Sequence, residues 1–365
     1  MADTRPFRVL SIDGGGMRGL YTAIYLSSLA KQYSANRGVS DLDIGKGFDL
    51  IVGTSTGGIL ACALVAGIPL DSVAELYRDH GKAIFPVKLP AGINLSLLRQ
   101  LFTRPRRIRE GAMALAGVLH ERFNGESIAG VYSRRGIALA ITAIEMAQHR
   151  SWVFKTPHLG GHRDDDFSLA DVCIATSAAP IYRSLALVND PKTGHDHIFV
   201  DGGLWANNPV LVGLIDALDM TMKGDRIEIY SLGTCARPAG DVINPTALDW
   251  GLPRWKFGGE VAALSIDAQE YAYDNMARML ARHLNRDCHI VRFPHRAVSA
   301  SAMEYLDLDE TRPEATRVLA EQAQNDVSHT LSEARRQHTL QGELLNMLFN
   351  EIPPLAGDEK SKYPP

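Results

Sequence analysis

A short apolar stretch that leads into a glycine-flanked serine constrains this chain more than any other feature. The segment Phe48 to Ala61 has the sequence FDLIVGTSTGGILA, which predicts a strand, a tight turn and a helix. Gly53 and Gly57 lie two residues before and two residues after Ser55, so strand and helix can approach closely around a strained turn that exposes the serine hydroxyl. This pattern is typical of a nucleophile elbow, but glycine and serine are also common in turns without a catalytic role. The other motifs of the chain have to decide between the two interpretations.

A glycine-rich loop, Gly14 to Gly19 with the sequence GGGMRG, follows the first predicted strand and opens the first predicted helix. One use of such a loop is an anion cradle. The backbone N–H groups of Gly15 and Gly16 then point at one oxygen, and Arg18 adds a positive field. The residues Gly14, Gly15, Gly16 and Arg18 are therefore a candidate oxyanion hole.

The same loop also satisfies the dinucleotide-binding pattern G-x-G-x-x-G. That function requires a second strand that ends in an acidic residue about 20 residues further on, where it holds a ribose. Asp41 and Asp43 occupy this interval, but the polar, glycine-bearing segment around them predicts a loop. A non-catalytic nucleotide-binding module therefore remains open as the less favoured alternative.

A third glycine-rich turn follows a short apolar strand further along the chain. The strand Ile198 to Val200 leads into Asp201-Gly202-Gly203. An acidic side chain is thus predicted at the carboxyl end of a strand, which is where open α/β sheets build their sites. An isolated Asp-Gly is usually no more than a turn, so Asp201 gains meaning only together with Ser55.

Three motifs in this order, DGGGMRG at 13–19, GTSTG at 53–57 and DGG at 201–203, resemble those of the patatin-like phospholipase family. The sequence TSAAP at 176–180 is similar to that family as well. The resemblance covers roughly residues 7–235. It implies an α/β protein with a three-layer α/β/α fold around a mostly parallel central sheet, and an enzyme that hydrolyses fatty acyl esters of membrane phospholipids.

The resemblance also implies roles for individual residues. Ser55 corresponds to the nucleophile, Asp201 to its side-chain partner, and Gly15 and Gly16 with the neighbouring Arg18 to the oxyanion site. An aspartate is a poor base in water, where its pKa is ~3.9. In a dry site, hydrogen-bonded to the serine, it can take the serine proton as attack on an ester proceeds.

The chain departs from the family pattern directly after TSAAP. It continues as Ile181-Tyr182-Arg183, where the family usually has Thr or Tyr, then Phe and Pro. We expect this difference to affect the shape of the acyl pocket and not the chemistry.

An α/β-hydrolase with a full Ser-Asp-His triad is the alternative mechanism. His283, His289 and His295 follow Asp201 in the chain, and their position alone does not exclude them. His283 falls within a helical pattern and His289 begins an apolar strand, so structural roles are favoured for both.

The composition limits the partners and the location of this protein. Its 365 residues are 45% apolar and 22% charged, and the net charge of −4 gives no sign of a nucleic-acid polymer as partner. The first ten residues contain no apolar core of a secretory signal, and the longest apolar run, Ile59 to Leu70, is too short to span a bilayer. We therefore expect a cytoplasmic protein that contacts the inner face of the membrane when it is active. The four cysteines lie far apart in the sequence and indicate neither a zinc site nor a disulfide: Cys62, Cys173, Cys235 and Cys288. We also expect no cofactor.

A segment rich in arginine and leucine follows the helix after Ser55 and the next predicted helix. Arginines at 99, 104, 106, 107 and 109 stand among leucines, which indicates either a solvated face or a cationic flap suited to phosphate headgroups. No helical periodicity through Pro105 supports one long amphipathic helix, so the sequence alone does not decide between these two interpretations.

The motifs and the helical patterns together predict one catalytic domain over residues 1–350, with the motifs in 7–235, a helical elaboration in 236–350 and a tail in 351–365. The compact size is similar to that of patatin-like effectors in bacterial antiviral signalling. This resemblance implies a cyclic dinucleotide as candidate activator, although the sequence contains no nucleotide motif that locates its site. A homo-oligomer is a further candidate assembly.

Overall fold

The structure is a computed structural model that describes residues 5–86, 88, 95–235, 243–244, 246, 248–251, 254–255, 259–294, 298–336 and 339–356. It contains a sheet of eight strands: β1 (Phe7–Ile12), β2 (Leu50–Thr54), β3 (Ala138–Glu145), β4 (Arg150–Lys155), β5 (Ala186–Asn189), β6 (Asp196–Asp201), β7 (Ile227–Leu232) and β8 (Cys288–Phe293). The α-helices of the described residues are α1 (Gly19–Arg37), α2 (Thr56–Ala66), α3 (Leu70–Ile84), α4 (Leu95–Phe123), α5 (Ile128–Arg135), α6 (Leu169–Thr176), α7 (Gly203–Ala206), α8 (Val210–Met220), α9 (Gly259–His283), α10 (Pro313–Arg335) and α11 (Leu340–Glu351). None of these helices has the length and apolar character needed to cross a bilayer.

The sheet is parallel in its centre and antiparallel at one end. Hydrogen-bonded neighbours follow the order β5-β6-β3-β2-β1-β7-β8, and β4 pairs with β3 as well. The pairs that join β3, β2, β1, β7 and β8 are all parallel, whereas β4 and β6 run antiparallel to β3. Parallel strands are buried on both faces, which explains why β1 and β2 are nearly continuous apolar runs. The predicted mostly parallel α/β sheet is confirmed.

Helices cover both faces of this sheet. Along β1, Val9 packs into a core cluster with Val210 and Leu214 of α8, whereas Leu10 packs into a second, larger cluster with Leu20 of α1. This division follows from the alternation of side chains along a strand. The predicted three-layer α/β/α arrangement is confirmed.

The C-terminal helices pack on the same core as the motif-bearing part. Helix α10 lies along α1, where Tyr21 Oη donates to Asp326 at 2.6 Å and Tyr25 Oη lies 2.7 Å from Thr330 Oγ1. Leu348 of α11 is fully buried in the larger cluster. The predicted helical elaboration is thus present, and β8 adds an edge strand to it. That residues 1–350 form one domain stays a prediction, and the tail beyond 356 lies outside the described residues.

Helix α4 continues through Pro105, where the sequence pattern gives no support for one long helix. A proline inside a helix loses a backbone hydrogen bond and costs ~3 kcal/mol. Leu115, Leu119 and Phe123 of the same helix are buried against neighbouring helices. Burial of each such side chain stabilises by about 1.5–3 kcal/mol, which outweighs the cost of the proline.

Strands β2 and β6 meet end to end along one edge of β3. Thr54, the last residue of β2, pairs with Thr142, and Asp201, the last residue of β6, pairs with the adjacent Ala143. Strand β4 pairs with both Thr142 and Ala143. A strand has two hydrogen-bonding edges, so β2 and β6 must share the edge opposite β4. Because β2 is parallel and β6 antiparallel to β3, their carboxyl ends point at each other, and this brings Ser55 to Asp201.

Candidate active site

The turn at Ser55 is strained and held by contacts between backbones. Ser55 precedes α2 with φ 55° and ψ −125°, a conformation that is rare for a residue with a side chain and costs of order 1–3 kcal/mol. A Cβ atom on Gly53 would lie 2.4 Å from the carbonyl oxygen of Gly57, and one on Gly57 would lie 2.3 Å from the carbonyl oxygen of Ile12. Only glycine fits at these two positions, as the elbow pattern predicts.

The Ser55 hydroxyl donates a hydrogen bond to the carboxylate of Asp201, with 2.6 Å between Oγ and Oδ2. The other carboxylate oxygen, Oδ1, accepts from the Gly203 N–H at 2.7 Å. The Ser55 N–H donates to Thr176 Oγ1 at 2.8 Å, and Thr176 Oγ1 in turn donates to the Thr142 carbonyl at 2.6 Å. The two side chains that the sequence pairs are therefore in direct contact. The Gly203 N–H and the Thr176 hydroxyl, which is itself bonded to the Thr142 carbonyl, fix their positions.

Burial makes Asp201 a better base than an aspartate in water. The side chain lies in the interior, and this burial raises the pKa of Asp201 from 3.8 to about 6. The hydrogen bonds from Ser55 and from the Gly203 N–H and the positive charge of Arg183 oppose the rise. At neutral pH the carboxylate is ionised, yet its proton affinity lies much closer to that needed to accept a proton from serine.

The glycine loop stands beside Ser55 with two backbone donors available. The Gly14 N–H donates to the Asn207 carbonyl at 3.0 Å, so it is already engaged. Among the described residues, the N–H groups of Gly15 and Gly16 have no acceptor, and both residues line the same pocket as Ser55. This arrangement leaves Gly15 and Gly16 as the candidate oxyanion donors of the three consecutive glycines.

The Arg18 side chain supports the glycine loop through hydrogen bonds to backbone carbonyls. Its side chain is buried, and its guanidinium donates from Nε to the Gly15 carbonyl at 3.3 Å and from Nη1 to the Cys235 carbonyl at 3.5 Å. The Thr234 hydroxyl bonds to the Gly14 carbonyl at 2.8 Å on the same side. Arg18 is thus placed to orient the loop that carries the candidate oxyanion donors.

An apolar pocket opens next to Ser55 and Asp201. Its walls come from α2, α3, α4, α7, α9 and the loops beside them, and its apolar residues include Ile59, Ile84, Phe85, Leu115, Ile181 and Leu308. Sequence reasoning missed most of these residues, because helical periodicity predicts α3 without revealing that the end of this helix faces Ser55. The pocket can accommodate an acyl chain.

The alternatives from the sequence find less support. His289 on β8 contacts Asp287, with 2.6 Å between Nε2 and Oδ1, and His283 is exposed at the end of α9. In the part of the chain that the structure describes, no histidine hydrogen-bonds to Ser55 or Asp201; His295 lies outside it. Asp43, which a dinucleotide site would require, is buried in an ion pair with Arg135.

No set of histidine, cysteine and acidic side chains within the described ranges could hold a metal ion. A serine hydrogen-bonded to a buried aspartate, two free backbone donors beside it and an apolar pocket form an arrangement suited to nucleophilic acyl transfer. Fold and site therefore define a hydrolase of the three-layer α/β/α class with Ser55 as the candidate nucleophile.

Comparison with known proteins identifies the family. Residues 10–214 match the family model described as "Patatin-like phospholipase". The chain is 35% identical over 275 residues to a protein named "cGAMP-activated phospholipase" from Pseudomonas aeruginosa (strain BWHPSA011 / Pa011), with 74% of each chain covered. It is 30% identical over 288 residues to a protein of the same name from Escherichia coli (strain TW11681), with 76% of each chain covered. This chain belongs to the patatin-like phospholipase family, and the predicted enzyme class, a lipid acyl hydrolase, is confirmed.

Replacement of Asp201 by asparagine should stabilise the protein at neutral pH. Because burial raises the pKa of Asp201 from 3.8 to about 6, the free energy of unfolding of the wild type falls as the pH rises through this range. Asparagine can still donate to Ser55 Oγ and accept from the Gly203 N–H. We expect Asp201→Asn to exceed the wild type by about 1–3 kcal/mol at pH 7.5 and to match it near pH 4, as measured by urea unfolding. Equal stability at pH 7.5 would show that burial does not disfavour the carboxylate.

Proposed function

We propose that this enzyme cleaves fatty acyl esters of membrane phospholipids with Ser55 as the nucleophile and Asp201 as the base. The observation that carries the proposal is the 2.6 Å hydrogen bond between Ser55 Oγ and Asp201 Oδ2 at the edge of an apolar pocket. Serine at a strained elbow and a buried carboxylate with a raised pKa are the two groups that the reaction requires.

The first half-reaction forms an acyl-enzyme. Ser55 Oγ attacks the ester carbonyl carbon while its proton passes to Asp201, and the N–H groups of Gly15 and Gly16 stabilise the oxyanion of the tetrahedral intermediate. Collapse of the intermediate breaks the bond to the lipid alcohol, which takes the proton from Asp201. The positive end of α2, which begins directly after Ser55, favours the same developing negative charge.

The second half-reaction releases the fatty acid. A water molecule attacks the acyl-enzyme and gives its proton to Asp201, and the proton then returns to Ser55 as the bond between Oγ and the acyl carbon breaks. The acyl chain contributes binding energy throughout, because each methylene group buried in the apolar pocket stabilises the complex by ≈0.8 kcal/mol.

The first test of this proposal removes each partner of the dyad. Ser55→Ala should abolish hydrolysis of short-chain esters and phospholipids, because no other hydroxyl bonds to Asp201 in the described structure. Asp201→Asn should lower kcat on the order of 10²- to 10⁴-fold, as expected when a general base is lost. Esterase assays measure both effects on protein whose melting temperature is no lower than that of the wild type.

A fluorophosphonate probe and a histidine variant provide the controls. The probe should label Ser55 and leave Ser177 unlabelled, although Ser177 also lines the pocket, because the Ser177 hydroxyl donates to the Cys173 carbonyl and has no base beside it. His289→Gln should have far less effect than Asp201→Asn. Turnover that persists in folded Ser55→Ala protein would reject the mechanism, and a histidine variant as damaging as Asp201→Asn would replace the dyad by a triad.

We further propose that the enzyme works at the inner face of the cytoplasmic membrane, where an exposed apolar patch beside the pocket contacts lipid. The patch consists of Ile181, Leu185, Leu187 and Ile198, which are 39%, 51%, 65% and 39% exposed. Leu187 and Ile198 are cross-strand partners on β5 and β6, and β6 ends at Asp201. Ile181 belongs to the patch and to the pocket wall, so a lipid at the patch would be adjacent to Ser55.

The patch can be tested with Leu187→Ser. Removal of this leucine should reduce sedimentation with vesicles that contain anionic lipid, while hydrolysis of a dissolved short-chain ester is retained, because Leu187 does not line the pocket. Met222→Ser is the matched control, since Met222 is 80% exposed and follows α8 away from β5 and β6. Equal sedimentation of the Leu187 variant and the wild type would place the membrane contact elsewhere.

A cyclic dinucleotide is proposed as the activator. The support is that the two relatives named above are called cGAMP-activated phospholipases and cover most of this chain. An active phospholipase would hydrolyse the membrane lipids of its own cell, so the access of substrate to the glycine loop has to be controlled. Of the basic segment, Arg104 donates to the Ile181 carbonyl at the pocket rim, and this contact connects α4 to the site.

Activation can be measured with an esterase assay across a panel of cyclic di- and trinucleotides. A ligand that binds the active state better than the inactive state should raise the rate roughly 5- to 150-fold, which corresponds to a typical coupling of ~1–3 kcal/mol. Calorimetry on Ser55→Ala separates binding from turnover. Full activity without a ligand, or no binding across the panel, would contradict the activation and leave the hydrolase assignment intact.

A further inference from the structure

Arg183 places a buried positive charge in the wall of the active-site pocket. Its side chain lines the same pocket as Ser55 and Asp201 although the residue is only 8% exposed. The guanidinium lies over the ring of Phe85, with Cζ 4.5 Å from the ring centroid. Position 183 is also within the segment where this sequence departs from the usual pattern after TSAAP.

This guanidinium has no hydrogen-bond or ion-pair partner among the residues that the structure describes. Asp201 acts on it only through longer-range electrostatic attraction. Burial lowers the pKa of Arg183 to about 10, so the group is still charged at neutral pH. A guanidinium offers five N–H donors, and a buried charge without a partner is costly.

The other buried arginines of the described residues all have hydrogen-bond partners. Arg8 contacts two glutamates, Arg135 forms a two-bond ion pair with an aspartate, and Arg18 donates to backbone carbonyls. Their roles are structural, because each guanidinium is bonded to groups within the fold, although Nη2 of Arg8 has no partner among the described residues. Arg183 differs from them because its donors face a pocket, so an anion that enters the pocket would complete its bonding.

We propose that Arg183 binds the phosphodiester of the phospholipid substrate and thereby makes the enzyme select phospholipids over neutral esters. The inference rests on the proposed function, because it assigns a ligand to the same site. A planar guanidinium can bond two phosphate oxygens at once, and the Phe85 ring holds its plane in place. The developing oxyanion already has the donors of Gly15 and Gly16, so Arg183 is available for a second negative group.

The test compares two substrates with the same acyl chains, dihexanoylphosphatidylcholine and dihexanoylglycerol, both as monomers. In Arg183→Gln the ratio of kcat/KM for the phospholipid to kcat/KM for the neutral ester should fall roughly 10- to 100-fold, the range for a lost hydrogen-bonded contact to a charged group. Any influence of the lost charge on Asp201 acts on both substrates and cancels in the ratio. An unchanged ratio in folded protein would overturn the proposal.

Two further variants separate phosphate binding from packing. Arg183→Lys keeps the charge without the planar fork, so its ratio should lie between those of the wild type and Arg183→Gln. Arg163→Gln is the matched control, because Arg163 also lies over an aromatic ring, Trp152 at 3.9 Å, but outside the pocket, and its ratio should equal that of the wild type. A ratio that falls equally in Arg163→Gln and Arg183→Gln would overturn the proposal.

Fluorophosphonate labelling and a competition assay complete the design. Labelling of Ser55, measured in the presence of each cyclic nucleotide of the panel, reports on the nucleophile alone, so a wild type that stays unlabelled with every ligand would refute the proposed function. A labelled Arg183→Gln with an unchanged ratio would refute only this inference. Glycerophosphocholine should inhibit neutral-ester hydrolysis by the wild type more strongly than by Arg183→Gln. If inorganic phosphate inhibited the wild type as strongly as glycerophosphocholine does, the ligand of Arg183 would be free phosphate, and the headgroup assignment would be rejected.

Discussion

The site depends on one feature of sheet pairing, the end-to-end meeting of β2 and β6 on a single edge of β3. Thr54 and Asp201 pair with adjacent residues of β3, so the first residue after β2 and the last residue of β6 come together. The hydrogen bond between Ser55 and Asp201 is therefore a consequence of register. A shift of β6 by one residue would turn Asp201 to the opposite face of the sheet and separate the two groups.

The three motifs are also packed against one another, which explains why they occur together. A Cβ atom on Gly57 of the elbow would collide with the carbonyl oxygens of Ile12 and Asp13, which lead into the glycine loop. The loop in turn is bonded to the turn after Asp201, because the Gly14 N–H donates to the Asn207 carbonyl. The glycines thus serve close backbone approach between motifs as much as local turns.

Local signals in the sequence predict the type of sheet and single out Ser55 and Asp201 as the candidate central side chains. The elbow and the sheet type follow from glycine spacing and from apolar runs, which are properties of short segments. The pocket walls and the role of Thr176 as a support for the Ser55 N–H depend on contacts between distant segments, and no short pattern encodes them. The continuation of α4 through Pro105 also depends on contacts between distant segments, because burial of the later residues of this helix outweighs the cost of the proline.

Burial links the chemistry of the site to the substrate that it accepts. The apolar walls that can hold an acyl chain also exclude water from Asp201, and this exclusion raises the pKa of the carboxyl to about 6. The same environment strengthens the attraction between Arg183 and any anion in the pocket, because little water is left to screen it. A bound lipid would displace the remaining water and intensify both effects. A dyad of serine and aspartate can therefore work without a histidine if the pocket excludes water and the bound substrate displaces the water that remains.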